Sequence, residues 1–286
     1  MKRLTEKLYQ ALAAMTDEAE RNAIIRAICC DVLGISSTMY YLRENVELTT
    51  EQAALLDDVV ARLKQGEPLQ YIEGKAMFCG MQFMVSPQVL IPRPETAELV
   101  DWIVTDHAMG QPKILDLGTG SGCIAVSLSK LMPQAVVEAC DISVGALAVA
   151  SENNRVNGTS VEFFALDMLD TASLLPRSYD ILVSNPPYIK QCEAVDMEQN
   201  VTQWEPHTAL FVPDDDALRF YRAVAEIGQT DALSPGGCIY VEINQALGKE
   251  TVALFEAYGY KDVVLRKDIY GNDRMVKGVK QPEAVR

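Results

Sequence analysis

From Lys113 onward the sequence alternates short apolar runs with stretches of helix length, and that alternation leaves few architectures open. The runs KILDL (113–117), VVEACD (136–141), VEFFA (161–165), DILVSN (180–185) and CIYVEI (238–243) have strand length, and stretches such as 122–132, 143–157 and 215–231 separate them. Repeated strand, helix, strand units require a parallel sheet with helices on both faces. The expected fold class is therefore α/β.

The region before it reads differently. From residue 1 to about 65 apolar positions follow a helical period, Leu4, Leu8 and Leu12 on one face and Ile24, Ile25 and Ile28 on another, with no strand alternation. Asp17 with Glu20, and Thr49 with Gln52, have the spacing by which a helix start satisfies its exposed backbone donors. Four short helices are expected, forming a small domain of residues 1–65. GEPLQYIEG (66–74) interrupts the period with Gly66, Pro68 and Gly74, and MFCGMQFMV then reads as a hairpin turning near Gly80; residues 66–87 are thus a linker and hairpin. Pro92 and Pro94 mark an extended loop before a helix carrying Leu99, Val100 and Ile103, and the larger domain spans 88–286.

Charge and composition narrow the function. Forty acidic residues against 25 basic ones give a net charge of −15, a field that repels a phosphate backbone, so no direct nucleic-acid partner is expected. No apolar run approaches the roughly 18 residues of a membrane span, and Glu6, Lys7 and Gln10 interrupt any signal-peptide core at the N-terminus. The seven cysteines show neither zinc-site spacing nor a disulfide framework, which fits a reducing, cytoplasmic compartment. His107 and His207 lie far from any ligand-like cluster, so no metal is expected. The chain is expected to be a monomer.

Four signals carry chemistry. After the strand KIL comes Asp116-Leu117-Gly118-Thr119-Gly120-Ser121-Gly122, where glycines let a backbone turn tightly and approach a ligand. A merely structural tight turn is the plainer reading. The next strand ends in Asp141, where a carboxylate accepts both hydroxyls of a ribose in doubly wound nucleotide-binding folds; the plainer reading is a helix cap, with Asp141 or Ser143 satisfying the start of the following helix. The third strand leads to Asp167, placed to meet the exocyclic amine of adenine or to stand as a solvated loop aspartate. Last comes Asn185-Pro186-Pro187-Tyr188: the prolines remove two amide donors and hold the path extended, leaving acceptors exposed. The Asn185 side-chain oxygen and the Pro186 carbonyl can take the two hydrogens of a substrate NH2 group while Tyr188 stacks on its planar face. A rigid proline turn is the competing reading.

In this order the motifs resemble class I methyltransferases, and the whole chain is similar to the PrmC/HemK family of protein-(glutamine-N5) methyltransferases that modify peptide chain release factors. The likeness also covers Gln70-Tyr71-Ile72 with Gly74, Ile91-Pro92-Arg93-Pro94-Glu95-Thr96 with Glu98, Glu205-Pro206 with Ala209-Leu210, and Gly271-Asn272-Asp273-Arg274. The resemblance implies a Rossmann-like, mostly parallel seven-stranded sheet and S-adenosyl-L-methionine as cofactor. It places Gly118, Thr119, Gly120, Ser121 and Gly122 around the methionine moiety, Asp141 on the ribose, Asp167 and Met168 near the adenine, and Asn185, Pro186, Pro187 and Tyr188 around the target glutamine, with Asn185 also bordering the cofactor. It further implies that the N-terminal helices hold the release factor. At Met168 the family often carries an aromatic residue, so apolar packing replaces stacking there.

Other readings share parts of this pattern. The same tetrapeptide serves enzymes that methylate a glutamine of a large-subunit ribosomal protein, and others that methylate the exocyclic amine of adenine in DNA, which needs the basic footprint this chain lacks. A nicotinamide-dependent dehydrogenase would explain the glycine turn and Asp141 but not NPPY. A non-catalytic scaffold would show a damaged site, and every expected site residue is present.

Overall fold

The structure, a computed structural model, describes residues 1–13, 17–170 and 178–282. The chain divides into two units, Met1–Gly74 with Glu198–Trp204, and Lys75–Met197 with the chain from Glu205 on.

The first unit is helical: α1 (Lys2–Ala11), α2 (Glu18–Ala27) running into a π-turn at Ile28–Val32, α3 (Ser37–Tyr41), α4 (Thr50–Lys64) and α5 (Leu69–Glu73). The apolar periods of the sequence form its core, with Leu8, Leu12, Ile25, Ile28, Leu56, Val59 and Leu63 all buried and Leu4 and Ile24 packed against them. At the start of α4, Thr49 and Gln52 form a reciprocal box: the Gln52 amide donates to Thr49 Oγ1 at 3.2 Å and the Thr49 amide to Gln52 Oε1 at 3.0 Å. The Glu20 amide donates to Asp17 at 2.8 Å, starting α2. Among the described residues no helix is long and apolar enough to cross a membrane.

The second unit opens with the hairpin β1 (Lys75–Phe78) and β2 (Met81–Met84), turning through Cys79 and Gly80, followed by α6 (Pro94–Asp106). The alternating region then supplies β3 (Lys113–Leu117), α7 (Cys123–Leu131), β4 (Val136–Asp141), α8 (Val144–Asn157), β5 (Glu162–Ala165), β6 (Tyr179–Ser184) and a short pair β7 (Ile189–Lys190) and β8 (Phe211–Val212), between which the chain contributes α9 (Gln199–Trp204) to the first unit and then forms α10 (His207–Leu210), followed by α11 (Arg219–Gln229), β9 (Leu233–Glu242), α12 (Gly248–Ala257), β10 (Lys261–Lys267) and β11 (Asp273–Val279). Seven strands join in the order β10-β11-β9-β6-β3-β4-β5, with only β11 antiparallel to its neighbours.

Strand residues alternate between two cores. Ile114, Val137, Ala139, Ile181, Val183 and Tyr240 face a cluster with Leu99, Ile103, Ile124 and Leu128 of α6 and α7. Leu115, Leu117, Cys140, Leu182, Ile239 and Val241 face another with Tyr221, Val224 and Phe255 of α11 and α12. Burial on both faces is why these strands read as nearly continuous apolar runs. The order reverses between β3 and β6: from β3 the chain winds out to β4 and β5, then returns to β6 on the other side. Such a reversal opens a crevice at the carboxyl ends of the strands, where ligands bind in doubly wound folds.

Candidate active site

That crevice holds a cavity lined by residues following four strands: Gly118, Thr119, Gly120 and Ser121 after β3, Asp141 at the end of β4, Asp167 and Met168 after β5, and Asn185 and Pro187 after β6. Gly118, Gly120 and Gly122 have φ of +74°, +55° and +78°, in the left-handed region that a side chain opposes. A Cβ on Gly118 would stand 2.9 Å from Met168 Cε, and one on Gly122 3.0 Å from Ala150 Cβ of α8. Gly122 is the buried N-cap of α7 and does not line the cavity; its glycine is required by helix packing.

The loop is fastened from behind. The amides of Gly118 and Thr119 both donate to the Cys140 carbonyl at 2.9 Å, and Thr119 Oγ1 donates to Asp116 Oδ2 at 2.6 Å. Asp116 is fully buried, and burial pushes its carboxyl up to about 7. Asp141 accepts from the Gly120 amide on Oδ2 at 2.9 Å and from the Ser143 amide on Oδ1 at 2.8 Å, while capping of α8 falls to Ser143, which accepts from the Ala146 amide. Asp141 thus braces the glycine loop at the cavity edge, with lone pairs left on each oxygen. Asp167 accepts from the Leu169 amide at 2.9 Å, and Met168 is buried in the second core with its terminal Cε methyl against Gly118. Cys123 also borders the cavity, but burial pushes its thiol up to about 12, leaving no thiolate for nucleophilic work.

Also on the cavity lining, Asn185 Nδ2 donates to Thr96 Oγ1 at 3.2 Å, and Thr96 Oγ1 donates to Glu242 Oε2 at 2.6 Å. The amide oxygen of Asn185 is left as its accepting end. Pro186 is buried beside the cavity without lining it. Tyr188 also lies beside it, half-buried against the second core, its hydroxyl donating to Glu242 Oε1 at 3.1 Å and its carbonyl accepting from Asn244 Nδ2 at 3.2 Å. Burial raises the Glu242 carboxyl above its ordinary range, opposed by the Thr96 bond and Arg274. Burial and the neighbouring Glu242 hold the Tyr188 hydroxyl protonated.

Thr96, Glu242 and the pair Arg93–Glu205 were not singled out as site residues by their chemistry, although Arg93, Thr96 and Glu205 sit in the quoted family motifs. Arg93 Nη2 donates to Glu205 Oε1 at 2.5 Å, and the Ile91 amide donates to Glu205 Oε2 at 3.3 Å. These bonds tie the loop carrying Pro92, Arg93 and Thr96 to the segment carrying Pro206, Thr208 and Ala209, all of which line the cavity. The available signal for Glu242 was a carboxylate ending an otherwise apolar strand.

Residues 4–74 match the family described as the PrmC N-terminal domain, and residues 96–203 match the Methyltransferase small domain. The chain is 47% identical to the release factor glutamine methyltransferase of Bacteroides thetaiotaomicron, over 96% of this chain and 99% of that protein. It is 43% identical to the one of Flavobacterium psychrophilum, over 97% and 98% of the two. The chain belongs to the release factor glutamine methyltransferase family. Its fold is shared by the 16S rRNA N2 G1207 methyltransferase RsmC of T. thermophilus, with a TM-score of 0.52 at 18% identity, covering 72% of this chain and 50% of that one. Membership of a methyltransferase family disposes of the nicotinamide-dependent and non-catalytic readings, and the seven-stranded, mostly parallel sheet is the class I methyltransferase architecture that the motifs implied.

Proposed function

We propose that this methyltransferase transfers a methyl group from S-adenosyl-L-methionine to the side-chain amide nitrogen of the glutamine in the Gly-Gly-Gln motif of class I peptide chain release factors. The names of its curated relatives support the substrate. The observation that carries the chemistry is the commitment of Asn185 Nδ2 to Thr96, which turns the oxygen of that amide into an acceptor at the cavity wall. An acceptor there suits a substrate that presents an NH2 group.

The cavity fits the cofactor. Gly118 to Ser121 form a side-chain-poor cradle for the methionine portion, Asp141 offers carboxylate lone pairs to ribose hydroxyls, and Asp167 with Met168 offers an acceptor and an apolar surface to adenine. When bound, S-adenosyl-L-methionine supplies an electrophilic methyl group. The protein's part begins with the poor nucleophilicity of an amide nitrogen whose lone pair is delocalised into its carbonyl. Asn185 Oδ1, on the cavity wall, accepts one N–H of the amide, and the carbonyl of Pro186, the next residue, beside the cavity, takes the other once the substrate is seated, orienting the nitrogen and polarising those bonds as conjugation is lost. Tyr188 steadies the planar face of the amide. No dedicated base is required, because the nitrogen proton becomes acidic as the new bond forms and leaves to water. The N-terminal unit holds the release factor and leaves the chemistry to the other.

The test uses labelled cofactor and a Gly-Gly-Gln release factor, with the modified residue mapped. Asn185→Ala is expected to lower turnover on the order of a hundredfold while cofactor affinity changes far less. Near-normal turnover in that variant would remove the amide clamp and return NPPY to a rigid turn.

A further inference from the structure

Glu242 ends β9 with 1% of its surface exposed, a placement that is costly for a carboxylate unless donors meet it. Its two oxygens receive the hydroxyls of Thr96 and Tyr188, at 2.6 and 3.1 Å. Thr96, also 1% exposed, has one hydroxyl proton. Because that proton goes to Glu242, Thr96 Oγ1 can meet Asn185 only as an acceptor, and it takes the Nδ2 hydrogen at 3.2 Å. The direction of one hydrogen bond dictates the next. We propose that Glu242, acting through Thr96, is a positioning residue that sets the polarity of the Asn185 amide, so that its oxygen and not its NH2 is offered to the substrate nitrogen.

The competing state is well defined. A Thr96 hydroxyl released from Glu242 can rotate and donate to Asn185 Oδ1, and the amide then turns over by about 180° with almost no change in shape. Packing does not choose between the two orientations, because oxygen and NH2 are nearly the same size; hydrogen bonding does. In the turned state two donors oppose each other across the cavity wall, and the target nitrogen is not held. A protonated Glu242 permits that turn, since a neutral carboxyl can donate to Thr96.

The charged and titratable groups around Glu242 are Tyr188 from the loop after β6, Glu95 from α6, Arg274 from β11, Tyr221 from α11 and Cys123 from α7. Burial favours the neutral carboxyl, while Thr96, Arg274 and Tyr188 favour the anion. Turnover therefore falls as pH drops, with an acid limb above the ordinary carboxylate range. Protonation on that limb acts through kcat and leaves cofactor binding alone.

The inference rests on the proposed role of Asn185, and the experiment separates the two. Full-length Asn185→Ala, Thr96→Val, Thr96→Ser and Glu242→Gln proteins are compared for kcat and KM on a release factor and for cofactor affinity by calorimetry. Thr96→Val and Glu242→Gln are expected to lower kcat about tenfold or more with cofactor affinity within about twofold, and Thr96→Ser, which restores the hydroxyl, to recover most of the loss. The acid limb is expected to vanish in Glu242→Gln. Normal kcat in Thr96→Val beside an inactive Asn185→Ala overturns the relay and spares the amide clamp; an active Asn185→Ala overturns the clamp itself. A Thr96→Ser protein as impaired as Thr96→Val also overturns the relay, since size and not the hydroxyl would then matter. If Glu242→Gln fails to fold, the two Thr96 variants decide the question alone.

Discussion

Asp141 shows how one side chain can hold both a loop and a ligand. Its oxygens already accept from the Gly120 and Ser143 amides, so Asp141→Ala removes a brace of the glycine loop together with the acceptors for a ribose. Cofactor affinity is expected to fall about ten- to a hundredfold, the effect of losing a charge-assisted hydrogen bond, and calorimetry showing no change would contradict the placement. Tyr188→Phe keeps the ring but strips a donor from buried Glu242. An unsatisfied buried acceptor costs about 1–3 kcal/mol, so denaturant unfolding should show a loss of that size; an unchanged midpoint would mean the Tyr188 hydroxyl is dispensable. Asp116 is a pH probe. Its folded carboxyl is raised from 3.8 to about 7 by burial, so the folded state holds a proton that the unfolded chain releases. Stability from this group is present below the unfolded value, is lost as pH rises towards about 7, and is level above it. Asp116→Asn, which stays neutral, should flatten that part of the melting-temperature profile, and an identical slope in both proteins would refute the assignment.

At the scale of elements, the ion pair joining the loop before α6 to the segment that starts α10 is the clearest dependency. The Glu205 side chain is 1% exposed, and Arg93→Met would leave that carboxylate without its cation. Removing one partner of a buried pair costs about 3–5 kcal/mol, to be read from chemical denaturation, and a loss below about 1 kcal/mol would mean water reaches Glu205. Elements with local signatures were legible in the sequence: β3 to β6 by their apolar runs, the hairpin by Gly80, α4 by its capping box. The edge was not. In β10, with burial confined to Val263 and Leu265 in part, no inward face repeats strongly enough to announce a strand, and β10 and β11 followed only from the resemblance. β9 begins at Leu233, five residues before the apolar run at Cys238, because Ser234-Pro235-Gly236-Gly237 reads as a turn yet continues the strand. The site divides the same way. Gly118 to Ser121 and Asp141 stand out because glycines and an acid follow their strands directly, whereas Thr96 and Glu242 are separated by 146 residues and meet only in the fold.

For the whole molecule, the point of interest is that the chain passes between its two units three times, after Gly74, after Met197 and after Trp204. Residues 198–204 thus belong with the N-terminal helices although the chain on either side belongs to the sheet. Within the first unit, Trp204 Nε1 donates to the Gln65 carbonyl at 3.4 Å, at the end of α4. One peptide bond later comes Glu205, the partner of Arg93, and then Pro206, Thr208 and Ala209 of the cavity wall. If the first unit holds the protein substrate, a change confined to its returning segment should alter how that substrate is engaged more than how the cofactor is bound. Trp204→Ala removes the indole donor and its packing, a perturbation on the order of 1 kcal/mol, equivalent to about fivefold in an equilibrium. KM for the release factor is therefore expected to rise about fivefold, with cofactor affinity within about twofold. The release factor, used folded and at full length, is the substrate that makes the distinction, because a short Gly-Gly-Gln peptide reaches the cavity without the first unit and should show no such rise. Equal increases in KM for peptide and folded substrate would assign Trp204 to the cavity wall and take the docking role away from the N-terminal helices.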